Sequence, residues 1–308
     1  MQTPKPFWGH LAALFTISVW GVTFISIKVL LAPFTPVEIT FYRLLLAVLA
    51  LFIASPPRLA WGRLDRQALR DELPVMAVGL CGVTLYFLFQ NIALSYTLAA
   101  NVSVLVSVAP LFTLLVSRAA LHEKLKANFL LGFTAAMAGI ILIAFNGSLV
   151  LKLNPLGDLL SVLAALAWAF YSVLVKHISA RQSAMSVVTR KVFFYGFLFM
   201  LPALPLSGFR LGLERLLVLP DLLNLLFLGV GGSALCFFTW NYAVHLLGPV
   251  KTSVYIYMVP VVTIAVSVLA LHEPVTWVSA TGIALILAGM ALSERERLLP
   301  QGEPVPEP

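Results

Sequence analysis

A chain of 308 residues that is 60% hydrophobic and only 11% charged, with mean hydropathy +0.98, is excluded from the soluble globular class and suits a protein that crosses a bilayer repeatedly. Its net charge of +7 does not mark a nucleic-acid binder, because Lys and Arg stand in short clusters between apolar runs and not along one face. The two cysteines, Cys81 and Cys236, lie inside apolar runs without metal-type spacing, so no disulfide framework, metal site or cofactor is assigned.

A membrane-spanning helix needs about 20 apolar residues. Ten runs meet this: 8–31, 36–54, 72–95, 99–119, 127–145, 156–176, 188–206, 220–246, 250–270 and 275–293. The expected fold is an all-α integral membrane protein of ten transmembrane helices. The first run is too long for a signal-peptide core and no cleavage site follows it, which makes it a retained span. Between spans, 58–72 (RLAWGRLDRQALRDE) reads as a surface helix and 208–219 (GFRLGLERLLVL) as an interfacial one. Residues 294–308 are Pro-rich and expected to be disordered. With the N-terminus cytoplasmic, 15 of the 20 Lys and Arg fall inside, so the positive-inside rule gives N-in, C-in.

Residues 85–143 slide onto 235–293 without a gap, matching Asn91 to Asn241, Ser103 to Ser253, Pro110 to Pro260 and Glu123 to Glu273. Upstream, Trp20 matches Trp168, Lys28 matches Lys176 and Arg43 matches Arg190 with a small slip. The chain therefore divides into a first five-helix repeat over 1–147, a second over 148–293 and the tail. Five is odd, so the second repeat enters the membrane from the opposite side and the halves are inverted. This accounts for the tripeptide Leu-His-Glu at 121–123 and again at 271–273, basic-flanked only the first time. The basic flanks Arg118, Lys124 and Lys126 of the first loop are replaced by Val268, Pro274 and Thr276 at the second, as expected of loops on opposite faces, and a shared two-His, two-Glu metal site is excluded. Glu123 and Glu273 are expected to cap the helices that follow.

Polar groups in hydrocarbon are costly unless they face a partner or a wet cavity. The substrate-binding candidates are Trp20, Thr23 and Phe24 on the first helix with Trp168 and Tyr171 on the sixth. Tyr86, Gln90 and Asn91 on the third join Trp240 and Asn241 on the eighth, and Ser103, Tyr255 and Tyr257 come from the fourth and ninth. Arg43, Arg190 and Lys28 are the charged or gating candidates, and Pro110 and Pro260 are expected to kink their helices. The fifth and tenth helices are small and aliphatic and belong outside the cavity, where Gly132, Gly139, Gly282 and Gly289 permit close packing.

The order of these motifs, SVWGVTF at 18–24, FYRLLLA at 41–47, the two long segments at 91–125 and 241–275, and GIALILAGM at 282–290, resembles the EamA type of the drug/metabolite transporter superfamily. The resemblance covers about 8–293 and implies a secondary transporter in the bacterial inner membrane that exports a small polar or aromatic metabolite, such as an amino acid, by alternating access. The rival reading is an exchanger of phosphorylated or other anionic metabolites clamped by Arg43, Arg190 and Lys28. No HExxH, GxSxG or P-loop is present, which argues against an enzyme. The expected partners are a small-molecule substrate and the lipid bilayer, with no nucleic acid, and a monomer is expected. No Asp or Glu lies mid-span, so uniport or exchange is expected over obligatory proton antiport.

Overall fold

The computed structural model describes residues 6–56, 66–96, 102, 105–121, 127–145, 154–179, 185–262, 265–266 and 277–294, and among these every regular element is helical. The helices are α1 (Pro6–Leu30), α2 (Pro36–Ala54), α3 (Arg66–Gly79 running through Leu80–Leu85 into Tyr86–Tyr96), α4 (Ala109–Leu121) and α5 (Ala127–Phe145). They continue as α6 (Pro155–Ser179), α7 (Met185–Met200), α8 (Leu219–Leu226 through Phe227–Leu235 into Cys236–Leu247), α9 (Pro249–Val254 with a 3-10 turn at Tyr255–Met258) and α10 (Trp277–Glu294). By length and composition α1, α2, the Glu72–Tyr96 part of α3, α6 and α8 can each cross a membrane; the apolar helices of the remainder are shorter.

Local signals set several boundaries. Thr35 caps α2 in a reciprocal capping box with Glu38, and Pro36 occupies the first turn, where its missing N–H costs nothing. The interfacial helix expected over 208–219 is not formed: only a 3-10 turn at Leu213–Leu217 is present. Gly208 and Gly212 adopt positive φ of 64° and 48°, which breaks the helical path, and Arg215 is drawn off to pair with Glu38. Pro110 and Pro260 do not interrupt running α-helices. Pro110 follows a turn at Ser107–Val108 and Pro260 follows the 3-10 turn of α9, so each stands where α-helix resumes. The Leu-His-Glu loops with Glu123 and Glu273, Ser103, the tail from Arg295 onward, and the first half of the surface helix lie outside the described residues.

Contacts between helix ends sort the chain onto two faces. At one face Gly9 of α1 abuts Leu247 of α8, Lys176 of α6 donates to His245 O at 2.7 Å, Arg190 of α7 donates to Ser55 O beyond α2, and Lys191 pairs with Glu72. At the other, Arg215 binds Glu38 and Tyr42 donates to Leu211 O. α5 and α10 pack along their length, glycine against backbone. A Cβ on Gly132 would strike Gly289 O and Ser293, and one on Gly139 would strike Gly282 O. Both helices keep clear of the central cavity.

α3 and α8 each contain a π-helical segment, Leu80–Leu85 and Phe227–Leu235, at corresponding places in the two repeats. A π turn widens the helix and leaves carbonyls unclaimed by the usual i+4 amide. In α8 such a carbonyl takes side chains from neighbouring helices, Gly232 O accepting from Trp20 Nε1 at 2.9 Å and from Arg43 Nη2 at 3.2 Å, while in α3 the Thr84 hydroxyl of the π segment donates outward to Gly196 O of α7.

Candidate functional site

At the centre, residues related by the repeat meet each other. The Trp20 and Trp168 rings are 5.1 Å apart, and Phe87 and Phe237 are 5.6 Å apart. Trp240 closes a three-indole cluster, 5.1 Å from Trp20 and 5.6 Å from Trp168. Such edge and tilted contacts add to the area each ring buries.

Beside this cluster lies a small cavity, in which about 40 Å³ is open to the centres of water-sized molecules and about 550 Å³ is free of atoms once its open mouth is included. Its wall is made by Trp20, Thr23 and Phe24 of α1, Arg43 of α2, and Tyr86, Phe87 and Gln90 of α3. Val106 and Ser107 precede α4, and Trp168, Phe237, Ile256 and Val259 come from the second repeat. Among the described residues no Asp or Glu borders it. One turn beyond Gln90, Leu94 and Ser95 line a wider depression with Glu38, Arg210 and Arg215. There the Glu38 carboxylate accepts from both Arg215 Nη atoms at 2.9 and 3.0 Å and from the Arg210 amide, and its hydrogen bonds push the Arg215 guanidinium further above its ordinary pKa.

The cavity is off-centre for a reason visible in the repeat. In the ungapped register Gln90 corresponds to Trp240 and Ser107 to Tyr257, and in the register of Trp20 and Trp168, Thr23 corresponds to Tyr171. Thr23, Gln90 and Ser107 border the cavity; Tyr171, Trp240 and Tyr257 are each 0% exposed, Tyr171 and Trp240 packed in the central aromatic cluster and Tyr257 against Phe133 of α5. The glycines confirm the pairing. The Cβ absent from Gly82 would strike the Tyr171 ring, and that absent from Gly232 would strike Thr23. Tyr171 and Trp240 fill one half of a pseudo-symmetric site, and Thr23 and Gln90 at the corresponding positions leave the other half open.

The other expected residues divide as follows. Asn91 is fully buried and donates to Thr40 at 2.9 Å; Asn241 donates likewise to Thr189 at 3.0 Å and accepts from Tyr171 Oη. Tyr255 Oη is 2.6 Å from His10 Nδ1, on the plugged side. Lys28 is exposed on the last turn of α1 and Arg190 sits against Ser55, so neither reaches Arg43. The expected equivalence of Arg43 and Arg190 is corrected here. The Cβ absent from Gly79 would meet Val192 O and Tyr195, and that absent from Gly229 would meet Arg43 O and Leu46, so Arg43 corresponds to Val192. The two arginines match only as letters. Phe87 and Phe237 border the cavity without having been expected there, although their identity in the ungapped register is a usable signal.

A family model described as the EamA-like transporter family matches residues 7–145 and again 155–294. The chain belongs to this family, and it carries two copies of the unit. Similar proteins include an uncharacterized transporter of Archaeoglobus fulgidus, 30% identical over 92% of this chain and 96% of that one. Another is the "Probable terminal-alkyne amino-acid exporter" of Streptantibioticus cattleyicolor, 28% identical over 97% and 96%. A solved crystal structure shares the fold with a TM-score of 0.73 at 21% identity, over 93% of this chain and 97% of its own. With its apolar helices, this family membership makes the chain a multi-pass membrane transporter.

Proposed function

We propose that this EamA-family transporter is a secondary exporter of a small polar or aromatic, amino-acid-like metabolite across the bacterial inner membrane. Ten spans in two inverted five-helix repeats, N-in and C-in, would alternate access to a site between them. The observation that carries the reading is the aromatic-walled cavity bordered by α1, α2 and α3 of one repeat and by α6, α8 and α9 of the other. Inversion is supported by the helix ends: α1 begins beside the end of α8, while its counterpart α6 ends there.

The rival reading, a clamp for phosphorylated metabolites, loses support from geometry, because Arg43, Arg190 and Lys28 do not converge. The name of the Streptantibioticus relative supports an amino-acid substrate. Proteoliposomes loaded with radiolabelled amino acids or with sugar phosphates test the choice. Efflux of at least one amino acid and of no sugar phosphate is expected; the reverse pattern rejects the proposal.

A further inference from the structure

Arg43 is 2% exposed, and among the described residues no carboxylate pairs with it. An unpaired charge taken out of water is expensive, and proteins neutralise it or put it to use. Here the cation is built in. Its Nε donates to Ser233 Oγ at 2.6 Å, its Nη2 donates to Gly232 O at 3.2 Å, and its guanidinium lies 3.9 Å over the Phe87 ring while it borders the cavity. Nη1 makes no hydrogen bond to a described residue. Ser233 and Gly232 belong to the π-helical turn of α8, so the chain has shaped backbone to hold this side chain. On the cavity wall beside it Trp168 is also 2% exposed, and its indole N–H has no acceptor among the described residues. Charged and neutral donors therefore face a space with no acidic acceptor among the described residues.

We infer that Arg43 is the docking point for a single carboxylate, so that the transported molecules are small acids or zwitterions whose apolar or aromatic body lies against Trp20, Phe24, Tyr86 and Phe237. This rests on the exporter reading and deepens it. One cation, with Arg190 and Lys28 remote, suits a monoanion and not a phosphate ester, which calls for several donors of like charge. The replacement of Arg43 by Val192 at the related position gives the site one anchored end. A planar guanidinium already fixed through Nε and Nη2 loses little entropy on accepting a carboxylate at its free edge.

Two measurements on the full-length protein in detergent test this. With Trp8, Trp61 and Trp277 changed to Phe, fluorescence reports Trp20 and Trp168 on the cavity wall and Trp240 packed against both. Iodide should quench this emission clearly more in the Arg43 protein than in Arg43→Gln, with Arg43→Lys between them, while neutral acrylamide quenches all three alike. Equal iodide quenching with and without the cation overturns the anion site. In the unmutated Arg43 site, L-leucine and L-phenylalanine should bind about 10- to 100-fold more tightly than leucinamide and phenylalaninamide, the range expected of a charge-assisted hydrogen bond. Equal binding of acid and amide overturns the carboxylate assignment without needing any variant. If iodide quenching depends on Arg43 and none of twenty amino acids perturbs the fluorescence, the amino-acid reading falls and the anion site stands.

Discussion

Thr23 and Tyr171 occupy corresponding positions on α1 and α6, yet Thr23 borders the cavity while the Tyr171 ring fills the matching space over Gly82. The exchange of one side chain between repeats thus decides which half of the site is open. Thr23→Tyr is expected to fill the cavity, abolish substrate binding and leave the melting temperature unchanged or higher. Tyr171→Thr should lose about 3 kcal/mol of stability by leaving a void in a packed aromatic cluster. Normal transport by the Thr23→Tyr protein, measured in vesicles, would contradict the assignment of the cavity.

Tyr257 makes a second, subtler case. Its ring is 0% exposed and its hydroxyl is buried with no partner among the described residues, as is the indole N–H of Trp240. Packing that strands polar atoms is packing that water or a moving neighbour can relieve. Tyr257→Phe removes the stranded hydroxyl and should stabilise this conformation by about 1 kcal/mol. The same change should slow turnover, because the opened conformation loses a group it would have hydrated. A higher melting temperature with unaltered turnover would separate Tyr257 from the transport cycle.

Much of this arrangement is legible in the sequence, and the limits are physical. Span positions follow from apolar length, and α5 runs over 127–145 as expected because small and aliphatic residues fill it without interruption. Trp20 and Trp168 are readable as cavity-wall residues, since polar indoles in a membrane need a partner or a wet cavity. The register of α2 against α7 is not readable from identity, because an Arg in each tempts a match that backbone packing against Gly79 and Gly229 contradicts. Nor does a pattern of apolar residues reveal a π turn, in which one extra residue rotates all that follows.

Glu38 sets the rim. It is 2% exposed, its carboxylate accepts from Arg215, Arg210 and Thr35, and it holds the 208–218 loop over the start of α2. Glu38→Gln should cost roughly 3 kcal/mol, since it leaves Arg215 facing a neutral amide in a sheltered pair. Proteolysis within 208–218 should become faster; an unchanged cleavage rate would show that the loop is held by Tyr42 instead.

Orientation is open to a direct check. Lys28 and Lys251 are both exposed and belong to opposite ends of the helix set. In a cysteine-free background, Lys28→Cys should react with an impermeant maleimide in intact cells, and Lys251→Cys only after permeabilisation. Labelling of both from one side would rule out the inverted arrangement.

The aromatic plug has a kinetic corollary. A carrier whose two gates were mirror images would saturate at the same concentration from either compartment. If access alternates as proposed, one approach would lead past Thr23 and Gln90 on the cavity wall and the other would have to part Tyr171 and Trp240, which are packed at the corresponding positions. Half-saturation should therefore differ between the directions. Without an energy source the ratio of maximal velocity to half-saturation must still be equal both ways, or a gradient would arise from nothing. The compartment from which substrate binds more weakly must then support the faster maximal flux, a one-way bias in capacity that needs no ion and no fuel.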